Sequence, residues 1–535
     1  MTSLSMEIKG IFRRICSNKS VINEHEIELD VDLNHILEGD EILFKDSSNI
    51  DIIKRTECYI VGVLQLENIK LQGHTKKGIP IYDMRPLSWK YPKFYVASKS
   101  QSKRNLLIVA KFMEWNPSSK YPQATCIDII GEADDPIAYD KALIIKNELY
   151  IKSYPTLHLP HFPPLPPHCP ALAEAYITVI DPSGSTDCDD GFHITEDKLY
   201  VHIADVDHYF PANGPYEAEI RKRLTSIYSL TKVYHMLPVE YASNIISLNL
   251  NGPKHVLTAV FTHAGEFLQV KKSIVRVEKQ LTYEAAQELF NSGDTTLQSL
   301  ASITGETDTH KMIEKIMIWT NSAIGKLLFN EGVNFSVYCE GKKHTGAEES
   351  EDLPYWVIER GISTSSYSTT KHGHSMMGLE YYTHFTSPIR RYADLIVHRL
   401  VKQIIAGSEE RRGPKPDTSG LEDYAALMNA YMIKVKHYYR DRNIYELLLK
   451  LNGEQCVTKG YVIDYNKDTN IVSVYLSEYK LIYSYPLCSW KLRDINKVYE
   501  IELFKPIDVM LTPIKSQSRI RMTIGSMSFS SDDLF

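Results

Sequence analysis

The sequence predicts a multidomain α+β protein of four folded parts. Two small β-barrels come first, then a mixed α/β domain, then a third small barrel. Three observations carry this reading. The chain has 535 residues, more than one hydrophobic core serves, because domains run to roughly 100–200 residues. Strand-type runs fill the first 150 residues and return after residue 453, whereas apolar steps of three and four are confined to the middle. A proline-dense stretch, "YPTLHLPHFPPLPPHCP" at 154–170, separates the two regimes.

The elements follow in order. Residues 1–66 and 67–153 hold short β-branched and aromatic runs such as "EIELDV", "EILFKD", "CYIVGVLQL", "KFYVAS", "NLLIVAKFMEW" and "TCIDIIGE", split by turn residues. So much strand in so short a length suits two OB-type barrels; one β-sandwich is the alternative. "SMEIKGIFRRI" reads as the first strand, in preference to an organelle transit peptide that the Ser and Arg content of the N-terminus faintly resembles. The prolines of 154–170 forbid helix and central strand, so an extended connector is expected. Residues 171–452 begin with strands ("AYITVID", "KLYVHIADV", "VLTAVFTH") and continue into helical patterns, the longest being "THKMIEKIMIWTNSAIGKLLFNEG" and "LEDYAALMNAYMIKVKHYYRDRNIYELLLKL". Residues 453–525 hold about five further strands, enough for a C-terminal OB-type barrel, and 526–535 read as a loose tail.

Composition is that of a folded soluble protein, 43% apolar and 24% charged, with net charge −7. Any nucleic-acid surface must therefore be locally basic. The eight cysteines are scattered and form no CxxC pair, which suits reduced thiols inside a cell. No apolar run is long enough to span a bilayer, and the N-terminus lacks a secretory pattern. No membrane partner is expected. Cytoplasm is the expected location, with the nucleus as alternative.

"ITVIDPSGSTDCDDGFHI" (177–194) sets Asp181, Asp187, Asp189 and Asp190 within ten residues. The first closes a strand; the rest sit on the loop that follows, where pocket residues gather. Hard oxygen donors at this density suit Mg²⁺ or Mn²⁺, and a divalent ion removes their mutual repulsion. A calcium loop fits poorly, since Thr186 stands where glycine is needed and Phe192 where the bidentate Glu belongs. A solvated acidic turn remains the plain alternative. The next strand also ends in carboxylates, Asp205 and Asp207, which favours a pocket.

"YYTHFTSPIRRYADLIVHRLV" (381–401) is the basic counterpart. Ser387 reads as a helix N-cap and Pro388 as the first helical residue, placing Arg390 and Arg391 in the first turn. Such a turn attracts anions; the alternative is a plain Arg390–Asp394 pair. Aromatics interleaved with base, Tyr228 in "TSIYSL" and Tyr438 and Tyr439 in "KVKHYYR", suit single-strand stacking, although core packing is the commoner fate of any one tyrosine.

"VIDPSGSTDCDDGFHI", "LYVHIADVDHYF", "RLTSIYSLTKVYHMLPVEYASNIISLN" and "GHSMMGLEYYTHFTSPIRRYADLIVHRLV" together resemble the RNB catalytic domain of the ribonuclease II/ribonuclease R family, over roughly 170–450. "GHTKKGIPIYDMRPLSWKYPKFYVAS" resembles the second cold-shock-type barrel of its eukaryotic branch. The resemblance implies a processive 3′→5′ exoribonuclease that releases nucleoside 5′-monophosphates from single-stranded RNA with Mg²⁺, Mn²⁺ being the other candidate. It implies Asp181, Asp187 and Asp190 as metal ligands, Asp189 and Arg390 as catalytic residues, and Tyr228, Arg391 and His384 as RNA contacts. It leaves a monomer with an RNA-degradation complex or a helicase as candidate partners. In departure from the exosome subunit, the residues before 35 leave no room for the endonuclease domain, so none is expected.

The chain departs from that pattern in places. Gly191 replaces a usual alanine, expected to be mild, and Asp207 replaces a small residue, expected to add negative charge near the site. "VNFSVYCEGKKHTGAEES" lacks the usual Arg-Arg-His-Pro run, so the family's RNA contacts are not expected there, and without a basic C-terminal tail weaker unwinding of structured RNA is expected. The rival reading is a catalytically inactive RNA-binding member; the intact acids and Arg390 speak against it.

Overall fold

The structure is a computed structural model. It describes residues 7–14, 19–23, 25–28, 35–46, 49–67, 71–154, 175–340, 365–409, 416–466, 471–486, 504, 506–514, 519–524 and 527–529. The expected connector at 154–170 lies outside these beyond Tyr154. Two compact units emerge, one of residues 1–149, 343–362 and 434–535, the other of 150–342 and 363–433. The fold class is the expected α+β, with three small β-structures in the first unit and the mixed domain in the second.

In the first unit, Ile8–Arg14 and Glu41–Asp46 form the centre of a five-stranded antiparallel sheet around Phe12, Ile22, Ile27, Ile36 and Ile42. The strand Tyr59–Leu64 was read as the last of this barrel, but it pairs with Leu106–Glu114 and with Pro80–Pro86. The boundary therefore falls between Lys54 and Tyr59. Those two pairings close a ring through Gln123–Glu132 and Phe94–Ala97. The closure needs Gly62: a Cβ there would stand 2.6 Å from the Arg85 carbonyl oxygen.

Residues 1–150 read as all-β, yet Pro136–Lys146 is an α-helix. The Asp135 side chain accepts from the Ile137 N–H at 3.0 Å and Pro136 opens the first turn. Asp135 before Pro136 is a helix-start pattern that the reading of the region as all-β did not take up. Tyr438, from the helix Leu421–Leu451, is fully buried and donates to Asp140 Oδ1 at 2.7 Å, so it packs as core. The C-terminal sheet runs from Cys456–Asn466 through Arg519–Ile524, and Met527–Phe529 adds a strand to it, so the expected loose tail begins as sheet. Among the described residues no helix is long and apolar enough to cross a membrane, and Cys58, Cys126, Cys188 and Cys456 are free thiols.

The second unit is built on a closed barrel of Ala175–Asp181, Asp190–Ile194, Lys198–Ala204, Pro253–Thr262 and Phe267–Thr282. The first strand lies parallel to the last, with Asp181 opposite Thr282. Buried Val179, Phe192, Val201, Ile203 and Leu257 share one core with Ile316, Ile324, Ile389, Ile396 and Leu400 from the flanking helices and loop. Each such side chain stabilises the fold by about 1.5–3 kcal/mol. Gly191 is less mild than expected. An added Cβ would meet Ile177 Cδ1 at 2.8 Å and the Thr178 carbonyl oxygen at 3.1 Å, so the barrel has closed onto the glycine.

Candidate active site

Strand ends gather the acids. Asp181 is the last residue of one strand and Asp190 the first of the next, so the loop between them carries Asp187 and Asp189 over one barrel end. The loop is pinned by its backbone. Cys188 N–H donates to Ser247 Oγ at 3.0 Å, and the Asp189 carbonyl accepts from Ala204 N–H at 2.9 Å.

The four carboxylates have different surroundings. Asp189, 3% exposed, accepts from Ile389 N–H at 2.7 Å and from Arg390 Nε at 3.2 Å. Burial pushes it well above the usual carboxylate range against the pull of Arg390. Asp187 is buried and accepts the Tyr228 hydroxyl at 2.6 Å. Asp190 is pushed up to about 8, first by burial and then by the charge of Asp181. Asp181 is itself raised by burial, with the Cys188 thiol and Arg390 opposing, and its Oδ2 is buried without a hydrogen-bond partner.

Arg390 and Arg391 part company. The helix begins at Tyr392, and Ser387 to Arg391 form a turn whose Arg391 N–H reaches the Ser387 carbonyl at 3.0 Å. Ser387 does not cap with its hydroxyl; that oxygen accepts from Arg390 Nη2 at 2.9 Å. The alternative Arg390–Asp394 pair does not form; Arg391 takes Asp394 instead, at 2.9 Å onto a fully buried carboxylate that also takes Ser387 N–H. Arg391 thus shapes the loop that delivers Arg390. His384 lies 2.8 Å from the Tyr367 hydroxyl through Nδ1, and burial, then Arg391, holds it neutral. It is not among the side chains that meet the acids.

Asp205 and Asp207 do not add charge to the site. Lys402 Nζ sits 2.6 Å from Asp205 Oδ1 and 3.1 Å from Asp207 Oδ2. Arg399 binds Asp207 at 3.0 Å and Glu217 at 2.6 Å. These partners arrive from a helix nearly two hundred residues away, out of reach of local sequence reasoning.

Three neighbours of the acids went unremarked in the sequence. Cys188 lies between two of them, fully buried, and its thiol opposes the rise of Asp181. Tyr283 follows the residue paired with Asp181, and its hydroxyl is raised by burial and by Asp190. His235 places Nδ1 3.9 Å from Asp187 Oδ2. Only the fold brings the last two in.

The donor set fits a divalent cation. Asp181, Asp189 and Asp190 feel one guanidinium, one carboxylate oxygen is orphaned in the interior, and hard oxygens suit Mg²⁺ or Mn²⁺. Among the described residues no three potential ligands stand close enough to enclose an ion as they are.

Compared with known proteins, residues 171–304 and 341–407 match the RNB domain, and 83–148 match the Dis3-like cold-shock domain 2. Ribonuclease R of Chlamydia trachomatis is 29% identical over 324 residues, covering 45% of this chain and 47% of the relative. An exosome complex exonuclease of Mus musculus is 23% identical over 71% of this chain and 50% of its own length. The chain spans about half the length of these relatives. Among solved structures, apo Mycoplasma genitalium RNase R superposes with a TM-score of 0.77 at 18% identity, over 97% of this chain and 100% of that one. A yeast pseudonuclease does so at 0.61 and 15% identity, over 97% of this chain and 81% of that one. At such identities the likeness is one of fold.

Proposed function

We propose, for a chain that belongs to the RNB family, that it hydrolyses single-stranded RNA processively from the 3′ end and releases nucleoside 5′-monophosphates. The observation that carries this is the buried acid set at one barrel end with Arg390 tied to Asp189 at 3.2 Å. Asp181, Asp187 and Asp190 would hold Mg²⁺ or Mn²⁺, which supplies an activated water and offsets phosphate charge. The chain's own groups do the rest. Water adds to the terminal phosphorus, the bond to the upstream O3′ breaks, and the phosphate leaves on the terminal nucleoside. Arg390 stabilises the charge that develops in that step. Asp189, fixed by Ile389 N–H and Arg390, aligns the guanidinium and the attacking water or terminal hydroxyl. Tyr228 sets its ring at the acids and stacks the last bases.

Surface chemistry supports a single strand as substrate. On the second barrel Tyr121 lies under Lys93 at 5.0 Å and Lys120 at 5.4 Å, with Tyr95 5.4 Å away. Aromatic faces with adjacent cations are the usual single-strand platform. RNase R of Mycoplasma genitalium has been solved with single-stranded and with double-stranded RNA. We take this chain to act as a monomer in the cytoplasm, with an RNA-degradation complex or a helicase as candidate partners.

A second reading, an inactive RNA-binding protein, draws on the likeness to the pseudonuclease. Chromatography of the products from an oligonucleotide with a free or a phosphate-blocked 3′ end separates the two. Nucleoside 5′-monophosphates from the free end alone support the exonuclease. Bound but uncut RNA refutes it.

A further inference from the structure

We infer that His235 is a nitrogen donor to the cation held at the acids, and that this site therefore favours Mn²⁺ over Mg²⁺. The inference rests on the reading that the acids bind a divalent ion. His235 directly follows a two-by-two hairpin in which Ile227–Tyr228 pairs with Val233–Tyr234. The hairpin is fixed by Met236 N–H donating to Ser226 Oγ at 2.9 Å. One short element thus brings both Tyr228 and His235 to Asp187.

The imidazole is 7% exposed, and its Nδ1 is buried with no hydrogen-bond partner. Its nearest anionic atom, Asp187 Oδ2, is 3.9 Å away, too far for a hydrogen bond. That is a separation one ion fills, since two donors each about 2.0–2.2 Å from a metal stand at most ~4.4 Å apart. Tyr228 donates to the same Oδ2 at 2.6 Å, so its hydroxyl must move aside on loading. Mg²⁺ prefers oxygen donors throughout, whereas imidazole suits transition metals, so a nitrogen ligand tips preference away from Mg²⁺.

The test is pulsed EPR on the metal-free full chain loaded with Mn²⁺. Wild-type protein should show a hyperfine pattern from directly bound ¹⁴N, and ¹⁵N-histidine labelling should convert it to the ¹⁵N pattern without any mutation. His235→Gln should bind Mn²⁺ with the nitrogen signal gone and the Mn²⁺-over-Mg²⁺ preference reduced about tenfold. Mn²⁺ bound at the acids, lost in Asp190→Asn, but with no nitrogen coupling would overturn the role of His235 while leaving the acidic site intact. Mn²⁺ binding that ignores Asp190→Asn would overturn both.

Discussion

Replacing Arg390 by alanine should separate catalysis from stability. Asp189 is 3% exposed and has two donors, Ile389 N–H at 2.7 Å and Arg390 Nε at 3.2 Å. Losing the second forfeits a charge-assisted bond of about 1.5–3 kcal/mol. The carboxyl is already pushed well up by burial, so it takes a proton instead of standing as a bare charge. The net stability loss should stay near ~2 kcal/mol or below. Transition-state stabilisation should fall much further, by about 10²–10³ in rate, as when one preorganised donor is removed from an oxyanion site. Arg390→Lys should recover only part, because one ammonium cannot hold both Asp189 and Ser387 Oγ as the guanidinium does. The assay is single-turnover cleavage of single-stranded RNA at saturating enzyme, with RNA affinity measured in an Asp190→Asn background. A rate within about threefold of wild type, or a loss confined to affinity, would refute the role given to Arg390.

Other expectations follow from the same geometry. Asp190, pushed up to about 8, keeps its proton when folded and loses it when unfolded between about pH 4 and 8. The metal-free protein should therefore lose stability as pH rises through that window, by up to ~1.4 kcal/mol per unit. Asp190→Asn should flatten the slope, and a melting temperature that rises with pH in metal-free wild type would contradict it. Gly191→Ala, which restores the residue usual in the family, should destabilise by about 1–2 kcal/mol in urea unfolding because its Cβ crowds Ile177 and Thr178; a stabilised variant would show that the barrel opens freely. Tyr228→Phe should leave RNA affinity within about twofold while costing about 1–3 kcal/mol of stability, because buried Asp187 loses its donor. Tyr228→Ala should also lose about 1–3 kcal/mol of RNA binding, and equal losses in both variants would show that the ring is not the RNA contact.

What could be read from the chain was whatever lies close together in it. The acids of 177–194 and the strand that positions them are one segment, so their meeting at a strand end followed from periodicity and a turn, whereas the barrel that the strand belongs to did not. Arg390 was recognised as the basic partner of the acid loop, with a local pair to Asp394 as the alternative. Asp394 is four residues away and Asp189 two hundred and one, and only the packing of the 387–391 turn onto the barrel decides between them. Asp207 looked like surplus charge for the same reason, its cations lying on a distant helix. His235 and Tyr283 carry no local mark, since a hairpin and a parallel strand pairing bring them in. The helix at Pro136–Lys146 has a start pattern in Asp135-Pro136, which went unread among β-rich neighbours.

The most direct measurement is a timed digestion of 5′-labelled single-stranded RNA with Mg²⁺ or Mn²⁺, run beside Asp189→Asn. The account predicts shortening from the 3′ end to a short 5′ fragment, 5′-monophosphates in the supernatant and an inert variant. RNA that stays full-length while remaining bound to the wild-type protein would contradict it.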